Sequence, residues 1–271
     1  MDREPFVEEN RALWDEWTGL HVEGGFYDRA RFVRDPKDVR IREYELEELG
    51  DISGKTLLHL QCHFGLDTLS LARLGASVTG ADFSPRGIEE ARCLASDCGL
   101  DATFVCSDLY ELPQRLEGEF DVVYTSRGVL YWLPDIERWA EVVAHFVKPG
   151  GTFYILEAHP AFMVFENEGE AEPVVRYPYF NGPEPMTFEV HGSYADPEAE
   201  LEAEREHGWA HGLGEIVNAL VGQGLTICSL REYPFLEWPA SFLEERGDGR
   251  WHMPADAPGE IPLMFSILAA K

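Results

Sequence analysis

The sequence predicts an α/β protein with a doubly wound sheet, and three observations carry this prediction. Five short apolar runs between residues 56 and 157 each have the pattern of a strand, and helical patterns separate them. Helix starts and stops divide the pattern, as at Ser84-Pro85 and Pro149-Gly150-Gly151. Polar residues follow the carboxyl ends of all five strands, which is where such sheets bind ligands.

The first unit, Thr56–Arg92, reads as strand, turn, helix, strand, acidic residue and helix. The first strand meets a sharp turn at Gly65, and a helical pattern of leucines follows. A second apolar run, Ala76–Ala81, ends in Asp82. This order is typical of a nucleoside-binding βαβ unit, in which the first turn and the acid after the second strand hold a ribose.

The first turn indicates which nucleoside is bound. A dinucleotide fingerprint uses three glycines so that the backbone can approach a pyrophosphate. Here the turn is Gln61-Cys62-His63-Phe64-Gly65, with one glycine, and the side chains of Gln61 and His63 would obstruct a pyrophosphate. S-adenosylmethionine has no phosphate and tolerates a bulkier turn. The sequence therefore favours this cofactor, and a nicotinamide dinucleotide remains a weaker alternative.

The other elements follow in chain order. Residues 1–50 are predicted to form a helical cap, with amphipathic patterns in Asn10–Trp17 and Asp38–Leu49. Beyond the first unit, the predicted strands are Ala102–Cys106, Phe120–Thr125, Thr152–Glu157, Leu225–Tyr233 and Leu263–Ala270, and the predicted helices are Asp135–Val147 and His211–Gln223. Residues 160–208 interrupt the alternation and are predicted to be an inserted hairpin or lid, with strand-like runs at Val174–Phe180 and Met186–Val190.

Composition limits the class of partner. The chain has 271 residues, enough for one sizeable domain with an insertion, and its formal net charge is −28, from 50 acidic and 22 basic side chains. No cluster of positive charge suits nucleic acid or an anionic membrane surface, so neither partner is expected. Adaptation to high salt is one hypothesis for the acidity, and an ordinary acidic protein is the other.

The cellular location and the state of the cysteines are predicted from patterns that the sequence lacks. No apolar run approaches the length of a membrane span, and residues 1–4 lack the pattern of a signal peptide, so we expect a cytoplasmic protein. It is expected to be a monomer or a homodimer. The five cysteines include no CxxC pair, which argues against a disulfide framework and a thiolate zinc site.

Several segments together resemble the class I S-adenosylmethionine-dependent methyltransferases of the small-molecule type. They are HLQCHFG (59–65), GADFSPRGIEEAR (80–92), SDLYELP (107–113), FDVVYTSRGVLYWLPD (120–135) and VKPGGTFYILE (147–157). The resemblance implies a Rossmann-like seven-stranded sheet with an antiparallel last strand, and methyl transfer to a small-molecule acceptor. It divides the chain into a cap at 1–50, a cofactor-binding core at 51–159 and 209–271, and a substrate-side insertion at 160–208.

The resemblance also implies a set of cofactor contacts at four strand ends. Asp82 would bind both ribose hydroxyls, because an ionised carboxylate accepts two hydrogen bonds. Phe83 would pack on the adenine and Asp108 would accept from its amino group. The methionine part would lie against the first turn. The residues so implied are Gln61, Cys62, His63, Gly65, Asp82, Phe83, Ser84, Ser107, Asp108, Leu109, Ser126 and Arg127.

The first motif departs from the family pattern. His59 stands where the family has an acidic residue, and Gln61 and His63 stand where it has glycine. These departures leave a second function open, in which the chain binds the cofactor as a sensor without turnover. The ribose and adenine positions, Asp82 and Asp108, are intact and favour the enzyme.

A general base is needed only if the acceptor must lose a proton. His159 and Tyr131 are the predicted catalytic residues, with Glu157, His63 and His211 as further candidates near the proposed pocket. A structural role is the alternative for each, with His159 capping a strand and Tyr131 packing. His207 and His211 are four apart, but the HExxH glutamate is absent, so no metal site is predicted.

Overall fold

The structure is a computed structural model that describes residues 3–166, 169 and 172–271. Its helices are α1 (Glu4–Glu23), α2 (Arg29–Arg34), α3 (Glu43–Leu49), α4 (Leu66–Arg73), α5 (Pro85–Cys98), α6 (Leu112–Arg115), α7 (Ile136–Phe146) and α8 (Leu213–Gly222). Its strands are β1 (Thr56–Leu60), β2 (Ser77–Asp82), β3 (Ala102–Cys106), β4 (Phe120–Ser126), β5 (Val147–Ala158), β6 (Met186–Glu189), β7 (Arg205–Gly208), β8 (Thr226–Tyr233), β9 (Glu244–Glu245), β10 (Trp251–His252) and β11 (Met264–Ala270).

Seven strands form one sheet in the order β3-β2-β1-β4-β5-β11-β8. Strands β1 to β5 are parallel, and β11 runs antiparallel to both of its neighbours. The predicted fold class, including the antiparallel last strand, is confirmed. The strand order reverses between β1 and β4, and open α/β sheets bind ligands at the carboxyl ends of the strands on either side of such a reversal.

Apolar side chains cover both faces of the sheet. On one face, α7 and α8 bury a cluster that includes Trp139, Val143 and Leu220, each with no solvent exposure. On the other face, the rings of Tyr124 and Tyr154 stack with centroids 5.9 Å apart. The mostly parallel strands are therefore buried on both sides, which explains why they appear in the sequence as continuous apolar runs.

Helix α5 begins as its sequence predicts. The hydroxyl of Ser84 accepts a hydrogen bond from the Gly87 N–H at 2.8 Å, and Pro85 occupies the first helical position. A serine cap satisfies one of the free N–H groups at a helix start, and proline loses nothing there because its missing N–H would have no partner. This start fixes where the segment after Asp82 leaves the sheet edge.

Helix α1 and the hairpin β6–β7 pack together as a cap at the edge of the sheet. The Asn10 side chain donates to the His207 carbonyl and accepts from the His207 N–H, both at 2.8 Å. Six residues further along α1, the Glu16 carboxylate accepts from the backbone N–H groups of Glu202 and Ala203. Side chains of α1 thus provide hydrogen-bond partners to β7 and to the segment that precedes it.

The predictions for the cap and the insertion need three corrections. The predicted helix Asp38–Leu49 begins only at Glu43, because residues 38–42 instead bond to α4, through the Arg40 N–H and the Ser70 hydroxyl at 3.0 Å. The run Val174–Phe180 is not a strand; it makes a single bridge, Phe165 to Val175, and Pro173 just before the run and Pro178 within it lack N–H groups. The partner of β6 is β7, a run that was not predicted to be a strand.

A further segment, residues 235–253, was not predicted to have secondary structure and carries the small hairpin β9–β10. Its side chains Leu236 and Phe242 are buried in the same cluster as Tyr124 and Tyr154. This segment therefore completes one face of the sheet.

Asn10→Ala should loosen the cap. The substitution leaves two buried backbone groups of His207 without partners, and we expect the free energy of unfolding to fall by about 2–3 kcal/mol. Urea denaturation followed by tryptophan fluorescence measures this change. Glu8→Ala, at an exposed position of the same helix, is the control and should change stability by no more than about 0.5 kcal/mol. An equal effect of the two substitutions would contradict the proposed link.

Candidate functional site

The loop after β1 contains three residues in the left-handed region. Gly65 has a φ of 83°, while Gln61 and His63, which carry side chains, have φ values of 56° and 52°. Such a backbone costs a residue with a Cβ on the order of 1 kcal/mol or more. The loop is held in this shape by the Cys62 N–H, which donates to the Ala81 carbonyl at 2.9 Å. The turn thus keeps the glycine-like path that the resemblance implies, although two of the glycines are absent.

Asp82 joins this loop to the end of β2. One carboxylate oxygen accepts from the His63 N–H at 2.8 Å, and the other accepts from the Ser84 N–H at 2.9 Å. The side chain is 9% exposed, and burial raises the pKa of Asp82 to about 6, against the opposing effect of these N–H donors. Each carboxylate oxygen has a second lone pair, so Asp82 retains acceptor capacity for a ligand.

A cavity of about 760 Å³ lies between the ends of β2 and β3 and the first turns of α1, and Phe83, the residue after Asp82, lines it. Phe83, Ser107 and Asp108, three of the predicted adenine-side residues, line it. The Asp108 carboxylate accepts from the Tyr110 N–H at 2.7 Å, and burial raises the pKa of Asp108. The remaining lining residues are Arg3, Glu4, Val7, Glu8, Arg11, Cys106, Tyr110, Glu111, Arg115, Pro134, Asp135 and Arg138.

Two other predicted contacts lie just behind this cavity. Leu109 is buried in the main core cluster and begins a 3₁₀ turn. The Ser84 hydroxyl donates to the carboxylate of Asp15 on α1, so the cap is fastened to the same strand end. Asp15 was not predicted as part of the site, since its contact with Ser84 spans 69 positions along the chain.

Glu157 shapes the loop after β4. Its buried carboxylate accepts from four backbone N–H groups, those of Gly128, Val129, Leu130 and Ala158, at 2.6–3.1 Å. These bonds occupy the carboxylate, so Glu157 acts as a support and is not available as a base. The loop it supports faces the β1 loop, and the Gln61 side-chain Nε2 donates to the Val129 carbonyl at 3.2 Å.

Arg127 belongs to a buried ionic cluster. Its guanidinium contacts the carboxylates of Glu45 on α3, Asp67 on α4 at 3.6 Å, and Glu237 at 2.8 Å. The side chain therefore fastens two helices and the 235–253 segment to the end of β4. The predicted role of Arg127 in cofactor binding stays a prediction, and the structure leaves mainly its backbone for that role.

His59 replaces the acidic residue of the first motif and lies under the same strand end. Its Nδ1 is 2.9 Å from the Thr68 hydroxyl, and its Nε2 is 3.4 Å from the hydroxyl of Ser126, another predicted contact. Burial lowers the pKa of His59 to about 3, so the ring is neutral. A neutral ring with two hydroxyl partners replaces the family's carboxylate without leaving a buried charge.

The two predicted catalytic residues both have structural partners. His159 Nδ1 accepts from the Ala161 N–H at 3.0 Å, and its Nε2 is 3.1 Å from the Glu232 carboxylate. The Tyr131 hydroxyl donates to Glu206 at 2.9 Å, and burial raises the pKa of Tyr131, which disfavours the phenolate. These contacts match the structural alternative for each residue, and their catalytic role stays a prediction.

His207 and His211 are also engaged elsewhere. His207 lies 2.8 Å from Glu9 and 2.9 Å from the Thr187 hydroxyl, while His211 Nε2 donates to the Leu133 carbonyl at 2.7 Å. Across residues 3–166, 169 and 172–271, no three or more His, Cys, Asp or Glu side chains are arranged to hold a metal ion. In the same ranges, no helix has the length and apolar character of a membrane span.

An aromatic cluster packs against the β1 loop at His63. His63 Nε2 lies 2.8 Å from His21 Nδ1, and the ring of Trp14 lies 5.2 Å from His63 and 5.3 Å from Trp132. Burial lowers the pKa of His21 to about 4 and that of His63 well below its ordinary value, so both rings are neutral. The sequence predicted an amphipathic pattern over Asn10–Trp17, and nothing in the sequence identified His63 as a partner of this helix.

A sequence model of a methyltransferase domain family matches residues 57–151, which hold β1 to β4 and the first part of β5. The chain contains a methyltransferase domain. The matched residues include the β1 loop, Asp82, Asp108 and the loop after β4, so the match and the geometry point to the same strand ends. The resemblance inferred from the motifs is confirmed.

Curated relatives of this methyltransferase domain include two O-methyltransferases of ubiquinone biosynthesis. The protein of Photorhabdus laumondii is 31% identical over 145 residues, which cover 54% of this chain and 57% of that protein. A protein of Escherichia coli K12 is 32% identical over 111 residues, covering 41% of this chain and 46% of that protein. The chain thus spans about half the length of the curated relatives it matches.

Solved structures support the fold of the methyltransferase domain over most of the chain. An S-adenosylmethionine-dependent methyltransferase from Mesorhizobium loti aligns with a TM-score of 0.57 at 20% identity, covering 84% of this chain and 96% of that one. A putative enzyme of the same kind from Listeria monocytogenes aligns with a TM-score of 0.60 at 20% identity, covering 84% and 95%.

Asp82 should make folding of the methyltransferase domain depend on pH. Because the folded chain raises the pKa of this carboxyl from 3.8 to about 6, it binds the proton more tightly than the unfolded chain does. The stabilising contribution is therefore complete below about pH 4 and is lost as the pH rises through 6. Relative to Asp82→Asn, the free energy of unfolding of the unaltered protein should fall by about 2–3 kcal/mol between pH 4 and pH 8. Urea denaturation at several pH values measures this difference, and a constant difference would contradict the raised pKa.

Proposed function

We propose that this chain is an S-adenosylmethionine-dependent methyltransferase that acts on a small-molecule acceptor. The observation that carries the proposal is that Asp82 accepts a hydrogen bond from the β1 loop and is followed directly by Phe83, which lines the same cavity as Asp108. A ribose diol needs an acceptor at that point, and an adenine needs an apolar surface and an acceptor beyond it. The family match of residues 57–151 and the relatives named above support the same reaction.

The residues present fit this cofactor better than a dinucleotide. Three features suit an adenosine. They are the buried carboxylate of Asp82, the aromatic ring of Phe83 and the hydrogen-bond acceptor of Asp108. The side chains of Gln61 and His63 would obstruct a pyrophosphate that approached the β1 loop. A thermal shift at saturating nicotinamide dinucleotide would favour the oxidoreductase alternative, and we expect none.

The bound cofactor supplies an activated methyl group, and the protein contributes placement and exclusion of water. Asp82 would hold the ribose, Phe83 and Asp108 the adenine, and the β1 loop with Ser126 the methionine part. Helix α1 and the aromatic cluster of Trp14, His21, His63 and Trp132 would separate the transfer site from solvent. If the acceptor must lose a proton, the proposed bases are His159 and Tyr131, which would have to exchange their present partners, Glu232 and Glu206, for the acceptor.

Asp82→Asn should weaken cofactor binding. The amide replaces a charged acceptor of two ribose hydroxyl hydrogen bonds, so we expect the Kd for S-adenosylhomocysteine to rise by about 10- to 100-fold at pH 7.5. Isothermal titration calorimetry measures the Kd. Asp101→Asn, an exposed change just before β3, is the matched control and should leave the Kd unchanged. Unchanged affinity in Asp82→Asn would remove the ribose assignment.

Turnover distinguishes the enzyme from a cofactor sensor. The protein is incubated with methyl-labelled S-adenosylmethionine and a panel of hydroxyl, amine and thiol acceptors, beginning with aromatic hydroxyl compounds because the relatives named above are O-methyltransferases. We expect label in an acceptor. Tight cofactor binding with no transfer to the panel or to a cell metabolite extract would favour the sensor.

We further propose that the acidic surface is an adaptation to high salt and that the protein works in the cytoplasm as a monomer or homodimer. With 50 acidic against 22 basic side chains, repulsion within the folded protein is screened as salt is added. The melting temperature should therefore rise between low and molar potassium chloride. A melting temperature that is flat or falling with salt would favour the ordinary acidic protein.

A further inference from the structure

The backbone conformation of Gln61 is strained, and glycine would adopt it without this strain. Its φ of 56° lies in the left-handed region, where a side chain is disfavoured on the order of 1 kcal/mol or more. The loop path does not require a side chain, since Gly65 in the same loop adopts a φ of 83° without one. We therefore expect the side chain of Gln61 to make an interaction whose free energy offsets this strain.

The amide group of Gln61 has one satisfied end and one unsatisfied end. Nε2 donates to the Val129 carbonyl at 3.2 Å, which orients the amide because only the nitrogen end can donate to a carbonyl. Oε1 is buried and has no hydrogen-bond partner among the described residues. A buried acceptor without a donor costs on the order of 1–3 kcal/mol, so a donor from outside the chain would be favoured there.

The unsatisfied oxygen lies at the end of the site away from the adenine cavity. Gln61 bridges the β1 loop and the loop after β4, whereas Phe83 and Asp108 lie beyond Asp82 on the β2 and β3 side. A cofactor with its adenine in the cavity and its ribose at Asp82 would direct its amino-acid part toward Gln61.

Nearby charged groups are already occupied. The Arg127 guanidinium contacts Glu45, Asp67 and Glu237, and the Glu157 carboxylate accepts from four backbone N–H groups. A cationic amine entering this end of the site therefore finds no unengaged carboxylate among these groups. The Oε1 atom of Gln61 is an acceptor that remains.

We propose that Gln61 Oε1 accepts a hydrogen bond from the α-ammonium group of the methionine part of the cofactor. The inference rests on the proposed function and adds to it a side-chain contact made by a residue that replaces glycine. A need for an amide at this position then explains both observations, the strained φ of 56° and the Oε1 atom without a partner.

The test compares Gln61→Gly with the unaltered protein against two ligands. S-adenosylhomocysteine carries the α-ammonium group, and 5′-methylthioadenosine has the same adenosine without the amino acid. Calorimetry should show S-adenosylhomocysteine binding weakened by about 10-fold or more, the scale of a lost hydrogen bond to a charged group, and 5′-methylthioadenosine binding within about 2-fold. The melting temperature of Gln61→Gly should stay level or rise, because the left-handed strain is relieved.

A second variant separates strain from recognition. Gln61→Ala lacks the amide but keeps the left-handed strain, so it should show the same selective loss of S-adenosylhomocysteine affinity together with a lower melting temperature than Gln61→Gly. Equal losses for the two ligands, or no loss for S-adenosylhomocysteine, would overturn the proposal while leaving the proposed function intact. Failure of the unaltered protein to bind either ligand would overturn both.

Discussion

The organisation of the site depends on one buried carboxylate. Asp82 accepts hydrogen bonds from the backbone of His63 and Ser84, so it connects the β1 loop, the end of β2 and the start of α5. Burial opposes the ionised form and the N–H donors favour it, and the balance leaves the pKa of Asp82 at about 6. The bonds that shape the loop therefore depend on the charge state of the group that is proposed to hold the ribose. Loop conformation and ligand recognition are coupled through this side chain.

The central sheet was predictable because its information is local. Strands β1 to β5 are apolar runs with helix signals between them, and capping at Ser84 and a glycine turn at Gly65 follow directly from residue chemistry. The positions of Asp82 and Asp108 follow from the same alternation, since the ends of parallel strands meet at one edge. The corrections fall where the chain lacks a period, as in Val174–Phe180, or where a strand takes its partner from a distant helix, as β7 does from Asn10.

The supports of the site were not predictable for a related reason. Arg127 follows β4 as a pocket residue would, but its partners Glu45 and Glu237 come from opposite ends of the chain, and no spacing rule links them. The same is true of the contact between His63 and His21, and of the bond between Tyr131 and Glu206. Their residue types indicated that these side chains could bind a ligand or transfer a proton. Only three-dimensional packing shows that several of them are occupied by one another.

The cap also has a consequence for how the chain reaches its native state. Helix α1 is synthesised before the parallel core, yet Asn10 bonds to a residue 197 positions later, and the indole of Trp17 donates to the Gly192 carbonyl 175 positions later. During translation the tryptophans of this helix therefore stay exposed until the parallel core and the residues after it have been synthesised. Closure of so long a loop is slow, and exposed aromatic surface favours aggregation in the meantime. We therefore expect ribosome-bound chains that end after β5 to aggregate more readily than chains that extend past β7.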